Sequence, residues 1–429
     1  MSPDLVVVLA GREIGRVLRD NRGRLTFVYA EDWRQTRGAY PLSLSMPLAA
    51  AEHGHKPVEA FLWNLLPDND AVLARWGQRF KVSPRNPFAL LSHVGEDCAG
   101  AVQFVRPDRL EAVMGAGPAT VEWLEDKDVA QRLRALREDR TSWRSPRDIG
   151  QFSLAGAQPK TALLHENGRW GVPSGRTPTT HILKPPTGAF DGHAENEHLC
   201  MRLASALGLI VARSQVQWFE DQVAIVIDRY DRERTASGIV RVHQEDFCQA
   251  LAILPARKYE NEGGPGARAA VELLRTFSGR AQEDVQRFVD ALAFNWLIGG
   301  TDAHAKNYAL LIGAEGRARL APLYDVASIL PYDFDIQQVR LAMKVGGNYR
   351  LRDVGPRQWR KLAAELRLDA DALVARVRDM GAMLPDHLSA IRQMLEKEGL
   401  DHPLIKRLSA ALSDRARHCI DVIDTSAGG

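Results

Sequence analysis

One short polar loop constrains this chain more than any other feature, because it follows an apolar helix that two glycines bring to an end. Residues 288–298 carry apolar side chains at helical spacing, and Gly299 and Gly300 come directly after them. Glycine ends a helix readily because it adopts the left-handed conformation that other residues avoid. The sequence therefore predicts that the polar loop at residues 301–307 begins at a rigid helix end.

This loop carries an Asp and an Asn at a spacing that suits phosphoryl transfer. Asp302 and Asn307 stand in the D-x-x-x-x-N arrangement of a protein-kinase catalytic loop, in which the Asp accepts the proton of the attacking hydroxyl and the Asn binds Mg²⁺. Asp325 follows where a kinase has a second metal-binding Asp. Apolar residues at 310–312 and 320–323 predict a hairpin that would return Asp325 to Asn307. A single Asp in a loop flanked by glycine is more often a turn or cap residue, so the prediction depends on the combination.

A second segment could form a cradle for phosphate groups. Residues 153–161 read Ser-Leu-Ala-Gly-Ala-Gln-Pro-Lys-Thr, and the small residues in this run let main-chain N–H groups approach an anion. The run lacks both the spacing of a P-loop and that of the glycine-rich loop of ordinary kinases. It does precede a strand pair predicted at residues 161–164 and 169–172, which favours a phosphate-binding role.

Two charged residues further along could complete a nucleotide site. Lys184 lies on a strand predicted at residues 180–185, where a kinase holds the phosphates of ATP, although a solvated lysine on a sheet explains the same pattern. Glu197 is its candidate partner, and stabilisation of a helix start by the helix dipole is the competing explanation. The apolar run at residues 223–231 predicts a strand leading into a hinge, where the main chain could contact adenine and Tyr230 could pack on the ring.

Together these segments resemble the HipA family of bacterial serine/threonine-kinase toxins. The resemblance covers nearly the whole chain and keeps the order of the motifs. It implies an α+β, two-lobed protein-kinase-like fold, with a β-rich N-lobe that has an extra N-terminal subdomain and an all-helical C-lobe. The residues that carry it are 153–161, 181–184, 228–231, 244–246, 258–260, 263–266, 301–307 and 324–325, together with 41–48, 64–68 and 100–102 near the N-terminus.

The same resemblance implies ATP and Mg²⁺ as cofactors and assigns roles to individual residues. Asp302 is the expected catalytic residue, and Asn307 and Asp325 are the expected Mg²⁺ ligands. Ser153 is the expected autophosphorylation site, whose added charge would expel the loop from the nucleotide site; a serine that caps a turn is the alternative. The expected ATP-binding residues are Ala155, Gly156, Ala157, Gln158, Lys160, Lys184, Asp228, Arg229, Tyr230, His304, Asn307, Tyr324 and Asp325.

The family further implies a substrate and partners. The expected substrate is an aminoacyl-tRNA synthetase, glutamyl-tRNA synthetase first, whose phosphorylation would inhibit translation and cause growth arrest and persistence. The expected partners are a HipB-like helix-turn-helix antitoxin and, mainly through it, operator DNA. Two alternatives stay open, namely a kinase of this fold that acts on another synthetase or another substrate, and a catalytically weak corepressor. The joint presence of Asp302, Asn307, Asp325 and Lys184 argues against the corepressor.

Composition bears on partners and compartment. A net charge of +2 creates no strong field for a polyanion, so the chain itself is not expected to read nucleic acid. The four cysteines are scattered without CxxC pairing, which predicts buried thiols in a reducing compartment. Residues 5–10 are too few for a membrane span, and we expect a cytoplasmic protein with no membrane partner. We interpret His193, Glu195 and His198 as a polar entry to a helix rather than a metal cluster.

We expect three consecutive ranges along the chain: a HipA N-terminal subdomain at 1–107, the rest of the N-lobe with phosphate loop and hinge at 108–242, and a helical C-lobe with the catalytic loop at 243–429. The polar stretch 140–147 predicts a mobile connector. Residues 260–266 are either an inter-helix turn or part of a protein-substrate surface. Further predicted strands are 5–8, 13–18, 25–29 and 100–105, and predicted helices are 58–66, 72–80, 123–136, 246–254, 267–276, 283–298, 356–366, 370–380, 385–398 and 402–422.

Overall fold

The chain forms two compact units in the computed structural model, which describes residues 4–115, 120–143, 152–186, 188, 190–236 and 238–425. The first, here called the sheet unit, comprises residues 1–185, 217–256 and 309–319. The second, here called the helical unit, comprises residues 186–216, 257–308 and 320–429. Because each unit is assembled from three segments, the units divide the chain differently from the three consecutive ranges predicted above.

The sheet unit begins with an antiparallel sheet and the helices that cover it. In chain order these elements are β1 (Leu5–Leu9), β2 (Arg12–Arg19), β3 (Leu25–Tyr29), α1 (Glu31–Arg34), β4 (Glu52–His53), α2 (His55–Asn64), α3 (Asp70–Phe80), α4 (Pro87–Val94) and β5 (Gln103–Val105). The strand order is β4-β3-β2-β1-β5, so β1 is an interior strand between β2 and β5, which agrees with its wholly apolar and wholly buried sequence. The meander predicted from the sequence is formed by β1, β2 and β3.

A second sheet carries the segments predicted to bind the nucleotide. The next elements are α5 (Leu110–Met114), β6 (Thr120–Leu124), α6 (Asp126–Glu138), β7 (Thr161–Glu166), β8 (Arg169–Ser174), β9 (His181–Lys184), α7 (His193–Ala206), β10 (Ser214–Phe219), β11 (Gln222–Asp228), β12 (Arg232–Thr235) and β13 (Gly238–Arg241). The sheet order is β10-β11-β9-β7-β8-β6, and β7 and β8 form the predicted strand pair. The single helix predicted at 123–136 is wrong at its start, because residues 123 and 124 pair with β8.

The remaining chain is mainly helical, but it also contains short strands, so the lobe predicted at 243–429 is not all-helical. It comprises β14 (His243–Asp246), α8 (Phe247–Ala250), α9 (Ala267–Phe277), α10 (Ala281–Ile298), β15 (Ala309–Ile312), β16 (Ala318–Leu320), β17 (Arg340–Val345), β18 (Asn348–Arg350), α11 (Pro356–Leu366), α12 (Ala370–Lys397) and α13 (Pro403–Thr425). The predicted hairpin is β15 and β16, which form a sheet with β14. The helix predicted at 246–254 is shorter at both ends. Asp246 ends β14 and caps α8 through the N–H of Gln249 at 2.9 Å, and α8 stops at Ala250, before Ala252 adopts a left-handed φ of 54°.

Helix α12 runs through Pro385, where the sequence predicts a break between two helices. Proline removes one main-chain hydrogen bond and usually kinks a helix. Leu384 and Leu388 on either side of it are buried, and α12 packs against α13 and α10. Burial of this apolar face offsets the loss of the hydrogen bond, so the helix is continuous.

The core of the sheet unit extends across the boundary predicted at residue 107. One apolar cluster joins Phe104 of β5 to Leu136 of α6 and to Trp143, which is only 1% exposed. Trp143 belongs to the stretch predicted to be a mobile connector, so this end of the stretch is anchored. Residues 144–147 of the predicted connector lie outside the described residues.

The four cysteines are buried, as predicted, and none of them forms a disulfide within the described residues. Burial raises the pKa of the Cys98 and Cys200 thiols to about 12, so neither is a ready nucleophile at neutral pH. Among the residues that the structure describes, no helix is both long enough and apolar enough to cross a membrane.

Candidate functional site

The loop that follows α10 begins at a closely packed helix end. Gly299 adopts a φ of 64°, and the N–H of Gly300 donates to the carbonyl of Asn295 at 2.7 Å. A Cβ at Gly300 would come within 2.2 Å of the Asn295 side-chain oxygen. The two glycines are therefore required by this turn, as predicted, and they fix where the loop starts.

Asp302 lies on the exposed side of this loop, whereas the residues after it turn inward. The N–H of His304 donates to the main-chain carbonyl of Asp302 at 2.8 Å, and the N–H of Asn307 donates to the carbonyl of His304 at 2.9 Å. His304 and Asn307 are each 6% exposed. The hydroxyl of Tyr324 donates to the carbonyl of Lys306 at 2.6 Å and secures the inner part of the loop. An exposed Asp on an anchored loop is accessible to a large substrate.

The structure brings Asn307 and Asp325 together, as the predicted hairpin requires. The amide nitrogen Nδ2 of Asn307 lies 3.4 Å from Oδ2 of Asp325. Asp325 has a φ of 59°, a left-handed conformation that is uncommon outside glycine and that Asp and Asn tolerate best. Backbone strain of this kind gathers at functional sites, where the surrounding structure imposes it.

The chemistry of this pair fits a magnesium ion. Asn307 Oδ1 is buried and accepts no hydrogen bond from the described residues. A buried acceptor without a donor costs roughly 1–3 kcal/mol, and a cation would satisfy it. No group of three or more His, Cys, Asp or Glu side chains in the described residues is arranged to hold a metal ion. Mg²⁺ needs fewer protein ligands than that, because it binds through one or two carboxylates together with phosphate and water oxygens.

The loop predicted to hold phosphates lies in the sheet unit, where the connection between α2 and α3 supports it. The N–H of Asp68 donates to the carbonyl of Gly156 at 2.9 Å, and Lys160 Nζ donates to the carbonyl of Ala155 at 2.7 Å. Gly156 has a φ of 102°, and a Cβ there would come within 2.6 Å of Lys160 Nζ. The loop therefore folds around the Lys160 ammonium, with Ala157 exposed and Gln158 partly exposed at its tip.

Ser153 is fully buried at the start of this loop. Its Oγ donates to the carbonyl of Leu65 at 2.7 Å, and its N–H donates to the carbonyl of Asp97 at 3.0 Å. In this conformation Ser153 joins the loop to the N-terminal part of the sheet unit. Its predicted modification stays a prediction.

Lys184 and the residues at the end of β11 lie on neighbouring strands. Lys184 is 5% exposed and pairs in register with Ile225, while Asp228 pairs with His181. The Asp228 carboxylate also lies 3.1 Å from His181 Nε2. The hydroxyl of Tyr230 donates to the side chain of Gln244. These side-chain contacts are compatible with a nucleotide contact made by the main chain of residues 228–230, which stays a prediction.

Glu197 is not at the start of its helix, because α7 begins at His193. It lies in the second turn and is fully buried. The favourable interaction with the helix dipole is confined to the first turn, so the dipole does not account for this residue. A pairing of Glu197 with Lys184 stays a prediction.

A buried ion-pair network beside Tyr230 was not predicted from the sequence. The Arg229 guanidinium is bound to the Asp231 carboxylate at 2.9 Å, and the Arg232 guanidinium lies 2.9 Å from Asp97. Arg241 Nε also donates to Asp97 at 3.3 Å. The Arg229 side chain is thus held in structural contacts, and a part of Arg229 in ATP binding through its main chain stays a prediction. The only signal in the sequence is the alternation of charges directly after an apolar strand.

A second feature missed by the sequence reasoning is at the catalytic loop itself. The hydroxyl of Tyr259 donates to Oδ1 of Asp302 at 2.5 Å. Residues 258–260 carry part of the family resemblance, but nothing in their spacing points to Asp302.

The structure is a mixed α and β protein whose loop at residues 301–307 has the Asp and Asn spacing of a kinase catalytic loop. The family model of the HipA N-terminal domain matches residues 5–105, and that of the HipA-like C-terminal domain matches residues 152–388. The chain belongs to the HipA family, and the resemblance seen in the sequence is confirmed.

Individual relatives agree with this family. A putative kinase of Sinorhizobium fredii is 35% identical over 412 residues, which are 95% of this chain and 96% of that protein. The serine/threonine-protein kinase toxin HipA of Shewanella oneidensis is 31% identical over 389 residues, 86% of this chain and 84% of that protein. A chain of the solved complex of Shewanella oneidensis HipA, HipB and operator DNA matches with a TM-score of 0.85 at 25% identity, over 99% of both chains. The predicted fold class, with a sheet-rich N-terminal part and a helical C-terminal part, is thereby confirmed.

Proposed function

We propose that this protein is an ATP-dependent serine/threonine-protein kinase and the toxin of a HipBA module. The observation that carries the proposal is the approach of Asn307 to Asp325, at 3.4 Å, on the loop that exposes Asp302. A kinase needs a base open to its substrate beside a pair of oxygen ligands for a metal. The names of the relatives, a HipA kinase toxin and a putative kinase, support the same activity.

The residues of the helical unit would carry the chemistry. Bound MgATP supplies a transferable γ-phosphoryl group and neutralises part of its charge. Asp302 would accept the proton of the acceptor Ser or Thr hydroxyl as the oxygen forms its bond to phosphorus and the bond to ADP breaks. Asn307 Oδ1 and the Asp325 carboxylate would hold Mg²⁺. His304 and Tyr324 would line the nucleotide site and keep the loop in place.

Residues of the predicted phosphate loop and of strands β9 and β11 would bind the nucleotide. The ammonium groups of Lys184 and Lys160 would face its phosphates, and the main chain of residues 155–158 would add N–H donors. The main chain of residues 228–230 would contact adenine. Most of the catalytic effect would come from positioning and from charge neutralisation, as in other phosphoryl transfers.

Ser153 would be the site of self-inactivation. Its hydroxyl is buried against the Leu65 carbonyl, so the loop must leave this position before Ser153 can be modified. A phosphate of nearly two negative charges could not return to the same buried place without a large desolvation cost. Autophosphorylation would therefore keep the loop displaced and lower the affinity for ATP.

The substrate we propose is an aminoacyl-tRNA synthetase, with glutamyl-tRNA synthetase first. Its phosphorylation would stop tRNA charging and arrest growth, and both the enzyme and this substrate would be cytoplasmic. A HipB-like antitoxin would neutralise the toxin and connect it to operator DNA. Support for these partners comes from the Shewanella oneidensis complex, which contains HipA, HipB and operator DNA.

The test of the activity is Asp302→Asn, which keeps the shape of the side chain and removes its basicity. We expect this variant to bind ATP and fold normally but to lose transfer of labelled γ-phosphate to lysate proteins, by about 10²-fold or more, and to lose growth toxicity. Asp386→Asn, an exposed change of the same kind on α12, is the matched control and should keep full activity.

Mass spectrometry of phosphopeptides from the labelled lysate would identify the acceptor. A synthetase other than glutamyl-tRNA synthetase, or a different protein, would change the substrate and leave the kinase proposal in place. Full transfer by Asp302→Asn would refute the assigned base. No transfer by the wild-type protein, with operator repression retained, would indicate the corepressor instead.

A further inference from the structure

Tyr259 makes a direct contact with the proposed base. Its phenol hydroxyl donates to Oδ1 of Asp302 at 2.5 Å, and its ring packs edge-on against the ring of His304, with 4.8 Å between ring centroids. All three residues belong to the helical unit. The contact thus joins the catalytic loop to a part of the chain 43 residues upstream.

The segment that presents Tyr259, residues 257–266, is a tight turn with little freedom. The carbonyl of Tyr259 accepts the N–H groups of Glu262 at 3.1 Å and of Gly264 at 2.9 Å. A Cβ at Gly264 would come within 2.0 Å of the Arg257 carbonyl oxygen, so this turn closes only around glycine. These contacts fix the main chain on both sides of the Tyr259 side chain.

The 257–266 segment is also anchored at two places outside itself. One oxygen of the Glu260 carboxylate accepts the N–H of Lys344 on β17 at 2.7 Å. The carbonyl of Lys258 accepts the N–H of Ala305, in the catalytic loop, at 3.3 Å. The residue before Tyr259 and the residue after it are therefore both held by other elements, and the phenol is directed at Asp302 by a rigid support.

We infer that Tyr259 is a positioning residue for Asp302, and that the 257–266 segment serves to hold it there. The inference rests on the proposed kinase activity. The terminal torsion of an Asp side chain is soft, and Asp302 is exposed, so its carboxylate would otherwise rotate among several orientations. A hydrogen bond from Tyr259 to Oδ1 holds the carboxylate in one orientation and assigns the acceptor proton to Oδ2. In this role residues 260–266 are an inter-helix turn that supports Tyr259, and their predicted part in a protein-substrate surface stays a prediction.

The test is Tyr259→Phe in the full-length protein, which removes the hydroxyl and keeps the ring against His304. The probe reaction is transfer of labelled γ-phosphate from ATP to the proteins of a bacterial lysate freed of small molecules. We expect the maximal rate to fall about 10- to 100-fold, because small errors of orientation are costly in a catalysed step. The KM for ATP, the calorimetric affinity for ATP and the melting temperature should stay near their wild-type values.

Two further variants separate positioning from general stabilisation. Tyr332→Phe removes another phenol of the helical unit, one that accepts a hydrogen bond from Asn196 at 3.3 Å, and should leave the rate unchanged. In an Asp302→Asn background, Tyr259→Phe should cause no further loss, because Tyr259 acts through Asp302.

The outcomes are distinct. A wild-type rate in Tyr259→Phe would overturn the inference while the kinase proposal stands. A joint fall in rate, ATP affinity and melting temperature would show that Tyr259 only stabilises the fold, and would also overturn it. A wild-type protein that transfers no label would overturn both proposals.

Discussion

The buried network around Asp97 allows a prediction about stability that can be worked from its contacts. Asp97 Oδ2 accepts the hydroxyl of Thr179 at 2.6 Å and lies 3.4 Å from Arg229, while Oδ1 faces Arg232 and Arg241. The carboxylate is 9% exposed. We consider Asp97→Asn, which keeps the size of the side chain and an acceptor for Thr179 but removes the charge.

The expected cost follows from burial. Removing one partner of a buried ion pair costs about 3–5 kcal/mol, because it leaves the other charges buried without compensation. The retained acceptor places Asp97→Asn at the lower end, about 3 kcal/mol, or about 6–12 °C in melting temperature for a unit of this size. The control is Asp108→Asn, whose partner Arg106 lies 3.1 Å away at the surface with side chains 38% and 67% exposed. An exposed pair of this kind contributes about 0–1 kcal/mol.

The loss of stability caused by Asp97→Asn should be larger at neutral pH than at acidic pH. Burial alone would raise the pKa of Asp97, but the positive charges of Arg232, Arg229 and Arg241 outweigh it and hold this pKa well below its usual value. A carboxyl whose pKa is lowered by folding stabilises the protein above its unfolded pKa, near about 4, and that contribution fades as the pH falls towards the folded value. The difference between wild type and Asp97→Asn should thus be greatest at neutral pH and shrink below about pH 4.

The assay is urea unfolding followed by tryptophan fluorescence for the three proteins, at pH 7 and at the lowest pH where wild type stays folded. If the two units unfold separately, the transition of the sheet unit is the one to compare, because Asp97 belongs to that unit. A loss for Asp97→Asn no larger than that for Asp108→Asn would refute the reasoning. So would a difference that does not shrink on acidification.

Two further predictions concern the nucleotide. Asp325→Ala should abolish Mg²⁺-dependent ATP binding, whereas Lys184→Ala should weaken ATP binding without removing its dependence on metal. Calorimetry with and without Mg²⁺ measures both effects, and an unchanged ATP affinity in Asp325→Ala would show that Asp325 does not belong to the site. Purified active protein should gain one phosphate at Ser153 and then bind ATP poorly, while Ser153→Ala should resist self-inactivation. If phosphate is found only at other residues, or if the modified protein binds ATP fully, Ser153 is only a structural residue of its loop.

The sequence was sufficient where the relevant contacts are local. The helix that ends at Gly299, the loop after it and the hairpin that returns the chain to Asp325 all follow from spacing and glycine positions. Asn307 and Asp325 are only 18 residues apart, and the hairpin between them determines their approach. Apolar periodicity and the positions of turn residues therefore predicted that the two proposed Mg²⁺ ligands lie close together.

The sequence was insufficient where distant residues meet. Arg229 contacts Asp97 across 132 residues, and no periodicity links the two. Tyr259 reaches Asp302 through a turn whose shape depends on Gly264, which the sequence alone could not distinguish from an ordinary inter-helix turn. The helix break predicted at Pro385 is wrong for a related reason, because the tertiary packing of α12 outweighs the tendency of proline to interrupt a helix.

The interleaving of the two units has a consequence for any attempt to divide the protein. Since each unit consists of three segments, the chain passes between them five times, and one nick by a protease would leave both units still joined elsewhere. Two of these passages lie at the β15–β16 hairpin, one at residues 308–309 directly before β15 and one at residues 319–320 within β16. Deleting that hairpin would remove two strands from the sheet unit and, in the same cut, the connection that returns Asp325 to Asn307. The chain therefore cannot be divided cleanly into its two units at this hairpin.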